Sequence, residues 1–126
     1  MNLVLDSGAL IALERNDRVM WGRLTLAVRA GAVPTTHGGV VGQVWRGNGP
    51  RQALLAQILA NTDVRALDET LGRASGALLA KTQRRDVIGA ALVLLANDGD
   101  RIYTSDSADI AELAASTGRH VEIIRV

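Results

Sequence analysis

Three short acidic signals, far apart in the chain, stand where a strand should end or a helix should begin. Asp6 closes the run Asn2-Leu3-Val4-Leu5, Asp86 opens an apolar helix, and Asp106, with Asp109, follows Arg101-Ile102-Tyr103-Thr104. A parallel sheet gathers the ends of its strands into one crevice, which is where ligands bind. Carboxylates collected there repel one another unless a hard cation holds them, and oxygen ligands of this kind suit Mg²⁺ or Mn²⁺. The pattern points to a metal-dependent site acting on phosphates.

Each acid also has a purely structural explanation. Asp6 or Ser7 caps the helix that follows, and two capping-competent residues in succession leave one free. Asp106 or Ser107 does the same at the later turn, and Asp109 complements a helix dipole in its first turn. Asp86, as an acid at a helix N-terminus, needs no other reason. Glu14, Asp17, Glu69 and Glu112 read as solvated faces or helix ends. What favours chemistry is the sheet: right-handed crossovers make the first and fourth strands neighbours, which would bring Asp6 to Asp106.

His37 and His120 show no spacing typical of a metal pair; His37 falls near a helix start and His120 on an edge strand. No glycine-rich phosphate loop is present. Ser7, His37 and Asp6 name the members of a hydrolase triad, but no nucleophile elbow surrounds them.

The elements that must position these acids follow from apolar periodicity and breakers. Strands are expected at Asn2–Leu5, Ala32–Thr35, Asp63–Ala66, Arg101–Thr104 and His120–Val126. Helices are expected at Ala9–Arg15, from Asp17 to the stop at Gly31, at Thr36–Arg46, Arg51–Ala60, from Asp68 towards Thr82, at Asp86–Ala96 and at Ser107–Ser116. The alternation predicts an α/β fold with a mostly parallel sheet of about five strands between helical layers. The 126 residues make one domain, 1–126, without internal repeat or linker.

Composition narrows the class. Hydrophobic residues are 48% and charged residues 21%, ordinary for a globular protein, but there is no Phe, so the core must be aliphatic. The absence of Cys excludes disulfides, thiolate nucleophiles and thiolate zinc sites. No apolar run is long enough to span a bilayer and the N-terminus lacks a basic leader, so a cytoplasmic location and no membrane partner are expected. Lys81 is the one lysine among 14 basic residues, and arginine forks suit phosphate or carboxylate. A net charge of +1 decides nothing about nucleic acid.

Three segments together resemble the PIN domain, and within it the VapC-type toxins of bacterial toxin–antitoxin pairs. They are Leu3-Val4-Leu5-Asp6-Ser7-Gly8-Ala9-Leu10-Ile11-Ala12-Leu13, Asp86-Val87-Ile88-Gly89-Ala90-Ala91-Leu92 and Ile102-Tyr103-Thr104-Ser105-Asp106-Ser107-Ala108-Asp109-Ile110. The resemblance spans essentially the whole length and implies Mg²⁺- or Mn²⁺-dependent cleavage of RNA, an antitoxin that blocks the site, and a homodimer. Asp6, Asp86 and Asp106 would be the catalytic and metal-holding acids, with Asp109 as a further metal ligand and Ser7, Gln43 and Thr104 in support. Arg46, Arg51, Arg84 and Arg85 are the candidates for holding the RNA backbone. An apolar surface formed by Leu10, Leu13, Trp21 and Trp45 is expected to meet a partner.

Two positions depart from the family pattern. Gln43 stands where a Glu is usual, keeping a carbonyl ligand but losing a charge. Gly89 stands where an acid is expected, three residues after Asp86 on the same helical face, ~5–6 Å away at the Cβ level. The departures leave a second possibility open, a PIN-fold module that binds RNA or protein without cutting. A receiver-like phosphoacceptor domain is a third, but Lys81 is badly placed for it.

Overall fold

Leu3, Val4 and Leu5 are wholly buried, so strand β1 (Asn2–Leu5) needs cover on both faces. A strand apolar on both faces belongs in the middle of a parallel sheet. The computed structural model, which describes residues 1–126, has it there. β2 (Val33–His37), β3 (Asp63–Arg65), β4 (Arg101–Thr104) and β5 (Glu122–Arg125) complete a five-stranded sheet in the order β3-β2-β1-β4-β5. Every pairing is parallel. Edge strand β3 is exposed along its length.

The helices form two groups. α1 (Ser7–Glu14), α2 (Arg18–Arg29), α3 (Gly38–Val44) and α4 (Pro50–Ala60) carry the chain from β1 out to β3. α5 (Glu69–Thr82), α6 (Val87–Leu94) and α7 (Ser107–Ala115) carry it back across and on to β5. Right-handed crossovers put the outward helices on one face and the returning ones on the other. Accordingly α1 packs with α2, α3 and α4, while α5, α6 and α7 pack together. The result is the three-layer α/β/α fold expected from the sequence, with an all-parallel sheet.

The core is aliphatic, from Leu5, Leu10 and Leu13 through Leu55 to Leu92, Ile102 and Leu113, with Tyr103 as its one buried aromatic ring. α6 is apolar all round, and Ala90, Ala91, Leu92 and Val93 are at most 1% exposed. No helix is long and apolar enough to cross a membrane.

Every boundary falls within two residues of expectation, and the two-residue differences at β2, α3 and α6 have causes. β2 extends to His37 because Thr35, Thr36 and His37 stay in register with Asp63, Val64 and Arg65. α3 is correspondingly shorter. α6 ends at Leu94, where the Arg119 guanidinium donates to the carbonyls of Leu94 and Ala96. The expected apolar surface is not there as drawn: Leu10 and Leu13 are fully buried under the α1 face. Trp21 is partly buried and its indole N–H donates to the Leu13 carbonyl, leaving Trp45, at 42%, as the exposed member.

Candidate functional site

The chain leaves β1 in one direction to β2 and β3, then crosses back to β4 and β5. The switch between β1 and β4 is therefore where the sheet opens a crevice at the carboxyl ends of its strands. Asp6 follows β1 and Asp106 nearly follows β4; the backbone N–H of Asp6 donates to the Tyr103 carbonyl at 3.1 Å. A crevice of about 260 Å³ opens at this point. Asp6, Asp86 and Asp106 all line it, with Ser7, Gln43 and Ser105 as polar neighbours and Val40, Ile88 and Ile110 among the apolar ones.

Each of the three acids is the N-cap residue of a helix: Asp6 of α1, Asp86 of α6, Asp106 of α7. They are not equally occupied. Asp6 is 8% exposed and uses both oxygens, Oδ1 accepting from the Ala9 N–H at 2.9 Å and Oδ2 from the Ser105 N–H at 3.0 Å. Asp6 is thus the cap of α1, and Ser7 is the residue left free. Asp86 uses Oδ1 on the Gly89 N–H at 3.0 Å and is otherwise exposed. Asp106 makes no capping bond with its side chain. Its backbone N–H instead donates to Oγ1 of buried Thr104 at 2.9 Å, which holds the turn and leaves the carboxylate free of capping.

The electrostatics follow from this gathering. Partial desolvation raises the Asp106 carboxyl above its ordinary value, and the charge and hydrogen bond of Asp109 and the charges of Asp86 and Asp6 push the same way. A raised acid among like charges describes a negative site short of positive charge.

Glycines set how closely the parts approach. A Cβ on Gly8 would lie 2.5 Å from Ser105 Cβ, so only glycine lets the β4–α7 turn close on α1. A Cβ on Gly89 would lie 2.5 Å from Asp86 Oδ2. Gly89 is therefore more than a missing acid; it makes the space into which the Asp86 carboxylate folds.

The remaining predicted residues divide. Gln43, on α3, lines the crevice and is exposed. Asp109 does not line it, because its carboxylate is paired with Arg84, whose other nitrogen pairs with Glu112 one turn along α7. Arg84 is thus engaged inside the molecule, against the expectation that it faces RNA. Arg46 folds onto its own helix end, donating to the carbonyls of Gly42, Gln43 and Trp45. Arg51, in the first turn of α4, and Arg85, beside Asp86, are exposed and make no ion pair.

Two contributors escaped sequence reading. Ser105 clamps Asp6 through its backbone, and a backbone donor leaves no residue-type signal. His37 is fully buried; Nδ1 accepts from the Gly39 N–H at 3.1 Å and Nε2–H donates to the Ile88 carbonyl at 3.0 Å. Its position before Gly38-Gly39, where a side-chain acceptor caps a helix, is the one trace it leaves in the sequence. Burial lowers its pKa, while the Ile88 bond and the Asp86 charge act in opposition.

As to donor chemistry, three carboxylates and one carboxamide make an all-oxygen set that fits a hard divalent cation. As the side chains stand, no three acid or histidine groups converge tightly enough to hold an ion between them. Asp6 is spent on two backbone N–H groups, so Asp86 and Asp106 are the acids with oxygens left for a cation.

No protein-family model matches this chain, and no curated protein does. Among solved structures, the chain is similar to one in the crystal structure of VapBC2 from Rickettsia felis bound to a DNA fragment from their promoter. The two share 11% sequence identity, the match covers 98% of each chain, and the TM-score is 0.72. At that identity the likeness is one of fold, and it agrees with the PIN-like architecture expected from the sequence.

Proposed function

We propose that this chain is a divalent-metal-dependent endoribonuclease, the toxin of a toxin–antitoxin pair, with Asp6, Asp86 and Asp106 as its metal-holding acids. One observation carries the reading: three carboxylates at the N-cap positions of α1, α6 and α7 line a single crevice at the switch point, and the one before α7 is spared from capping. A capping role alone gives no reason for Thr104 to take over the Asp106 turn.

Asp6, held by two backbone N–H groups, is the fixed ligand. Asp86 offers its free Oδ2, Asp106 its uncapped carboxylate, and Gln43 a neutral oxygen at the α3 side. When bound, Mg²⁺ or Mn²⁺ supplies positive charge against a scissile phosphate and lowers the pKa of an attacking water. Arg51 and Arg85, exposed and without an ion pair, are the residues we assign to holding the RNA backbone. Ser7, freed by Asp6, offers a hydroxyl at the crevice rim.

The solved neighbour is a VapBC2 assembly, which supports an antitoxin partner for this chain. Exposed Trp45 supports self-association into a homodimer, which light scattering at micromolar concentration tests directly.

The deciding assay incubates the purified chain with Mn²⁺ and single-stranded RNA. Cleavage that chelation stops and Asp106→Asn abolishes is the expected result; RNA left intact at every divalent concentration would overturn it. A second reading, a PIN-fold module that binds without cutting, is favoured by the full engagement of Asp6 and by the lack of a ready-made cluster of three ligands. RNA binding without metal-dependent turnover is its signature.

A further inference from the structure

The crevice has two walls that belong to different layers. One is α3 with Val40 and Gln43, the other is the first turns of α6 with Asp86, Ile88 and Gly89. Neither Gln43 nor Asp86 makes any bond across the gap. The hydrogen bond that ties the α3 side to α6 is that of His37 to the Ile88 carbonyl.

His37 closes β2 and caps α3, so its ring is anchored on the sheet side by position and by the Gly39 N–H. On the other side Nε2–H meets the carbonyl of Ile88, in the same helical turn whose Gly89 N–H holds Asp86 Oδ1. A single tautomer serves both bonds, bare at Nδ1 and protonated at Nε2. The packing is as tight as the bonding: a Cβ on Gly39 would lie 2.5 Å from Ile88 Cδ1 and 2.9 Å from His37 Cε1. Gly39 is what lets ring and helix meet.

We propose that His37 is a positioning residue for the acid crevice: its neutral imidazole fixes α6 against the end of β2 and so sets the Asp86 carboxylate relative to Asp6 and Gln43. This rests on the reading that the crevice takes a divalent cation. An imidazole that orients a ligand-bearing element through its second nitrogen acts as outer-shell partners of metal sites do, and removing such partners typically costs about 10–100-fold in affinity.

The test is calorimetric titration of the full chain with Mn²⁺, without RNA. His37→Phe keeps a ring in the space and removes both bonds; about tenfold weaker Mn²⁺ binding is expected. Gly39→Ala strains the same junction by an independent route and should weaken binding likewise, even should the Phe variant fail to fold. His37→Gln, whose amide can donate to the Ile88 carbonyl, should restore most of the loss. Ile58→Ala, on the buried face of α4 and outside the crevice lining, should lower the melting temperature and leave Mn²⁺ affinity unchanged. Parent-like binding in both His37→Phe and Gly39→Ala would overturn the proposal, as would an equal loss in Ile58→Ala. A parent chain that does not bind Mn²⁺ at all would instead remove the cation reading, and this inference with it.

Discussion

Ser105 donates its backbone N–H to Oδ2 of Asp6 at 3.0 Å, joining residues 99 positions apart in the chain. The bond locks the turn after β4 onto the turn after β1, with Gly8 leaving the room for it. It also makes Asp6 a structural residue as well as a candidate ligand, which separates it from Asp106.

Substitutions at the two acids should therefore part company. Asp6→Ala removes two hydrogen bonds to a buried carboxylate, one of them the cap of α1, and should cost about 2–4 kcal/mol of stability. Asp106→Asn removes no helix cap and relieves repulsion around a raised carboxyl, so stability should stay within about 0.5 kcal/mol or rise slightly. Both should lose RNA cleavage. Urea unfolding of the two variants checks the split, and a large loss in Asp106→Asn would show that the side chain is structural after all.

Gly89 offers a test in which stability and metal binding diverge. Alanine in a helix interior gains roughly 0.5–1 kcal/mol over glycine, an upper bound for Gly89 in the first turn of α6. Displacing Asp86 from its cap costs about as much, on the order of 1 kcal/mol. Gly89→Ala should melt close to the parent, yet bind Mn²⁺ about tenfold more weakly, because its Cβ takes the space of Asp86 Oδ2. The same contact argues that Gly89→Asp will not restore a lost ligand. Tighter Mn²⁺ binding by Gly89→Asp would contradict this account of the crevice.

Stability should depend on pH through His37. Its folded pKa is lowered from 6.5, chiefly by burial, so the unfolded chain binds the extra proton first. The contribution is complete above pH 6.5, is lost as pH falls below it, and levels off below the folded value. The slope in that window should reach at most about 1.4 kcal/mol per pH unit. Protonation would also turn Nδ1 into a donor facing the Gly39 N–H. Denaturant midpoints between about pH 8 and about pH 5, compared with His37→Gln, isolate this term; parallel curves would refute it.

The arginines should sort by engagement. Arg51→Ala and Arg85→Ala should each weaken RNA binding and reduce the salt slope by about 0.7, the value for one single-strand phosphate contact. Arg84→Ala should leave the slope unchanged, because its guanidinium is held by Asp109 and Glu112. It should cost no more than about 1 kcal/mol, as partly exposed pairs do. Filter binding across a salt series reads all three, and a reduced slope in Arg84→Ala would return that residue to the RNA surface.

The sequence by itself determined the element order, the parallel sheet and the places where acids leave strands. Those features rest on local signals: an uninterrupted Leu3-Val4-Leu5 run, capping Asp residues, the turn at Asn97-Asp98-Gly99-Asp100, an all-apolar α6. It also brought Asp6 and Asp106 together, since crossover handedness leaves few ways to order the strands. Tertiary structure alone decided which lone pairs remain free. Asp6 and Asp106 look alike in sequence, each followed by serine, yet one is spent on Ala9 and Ser105 while the other is released by Thr104. The pairing of Arg84 with Asp109, the burial of Leu10 and Leu13 and the strut at His37 are of the same kind. Each depends on a partner brought near by the fold, and hydrogen bonds and burial are short-ranged, so no periodicity along the chain encodes them.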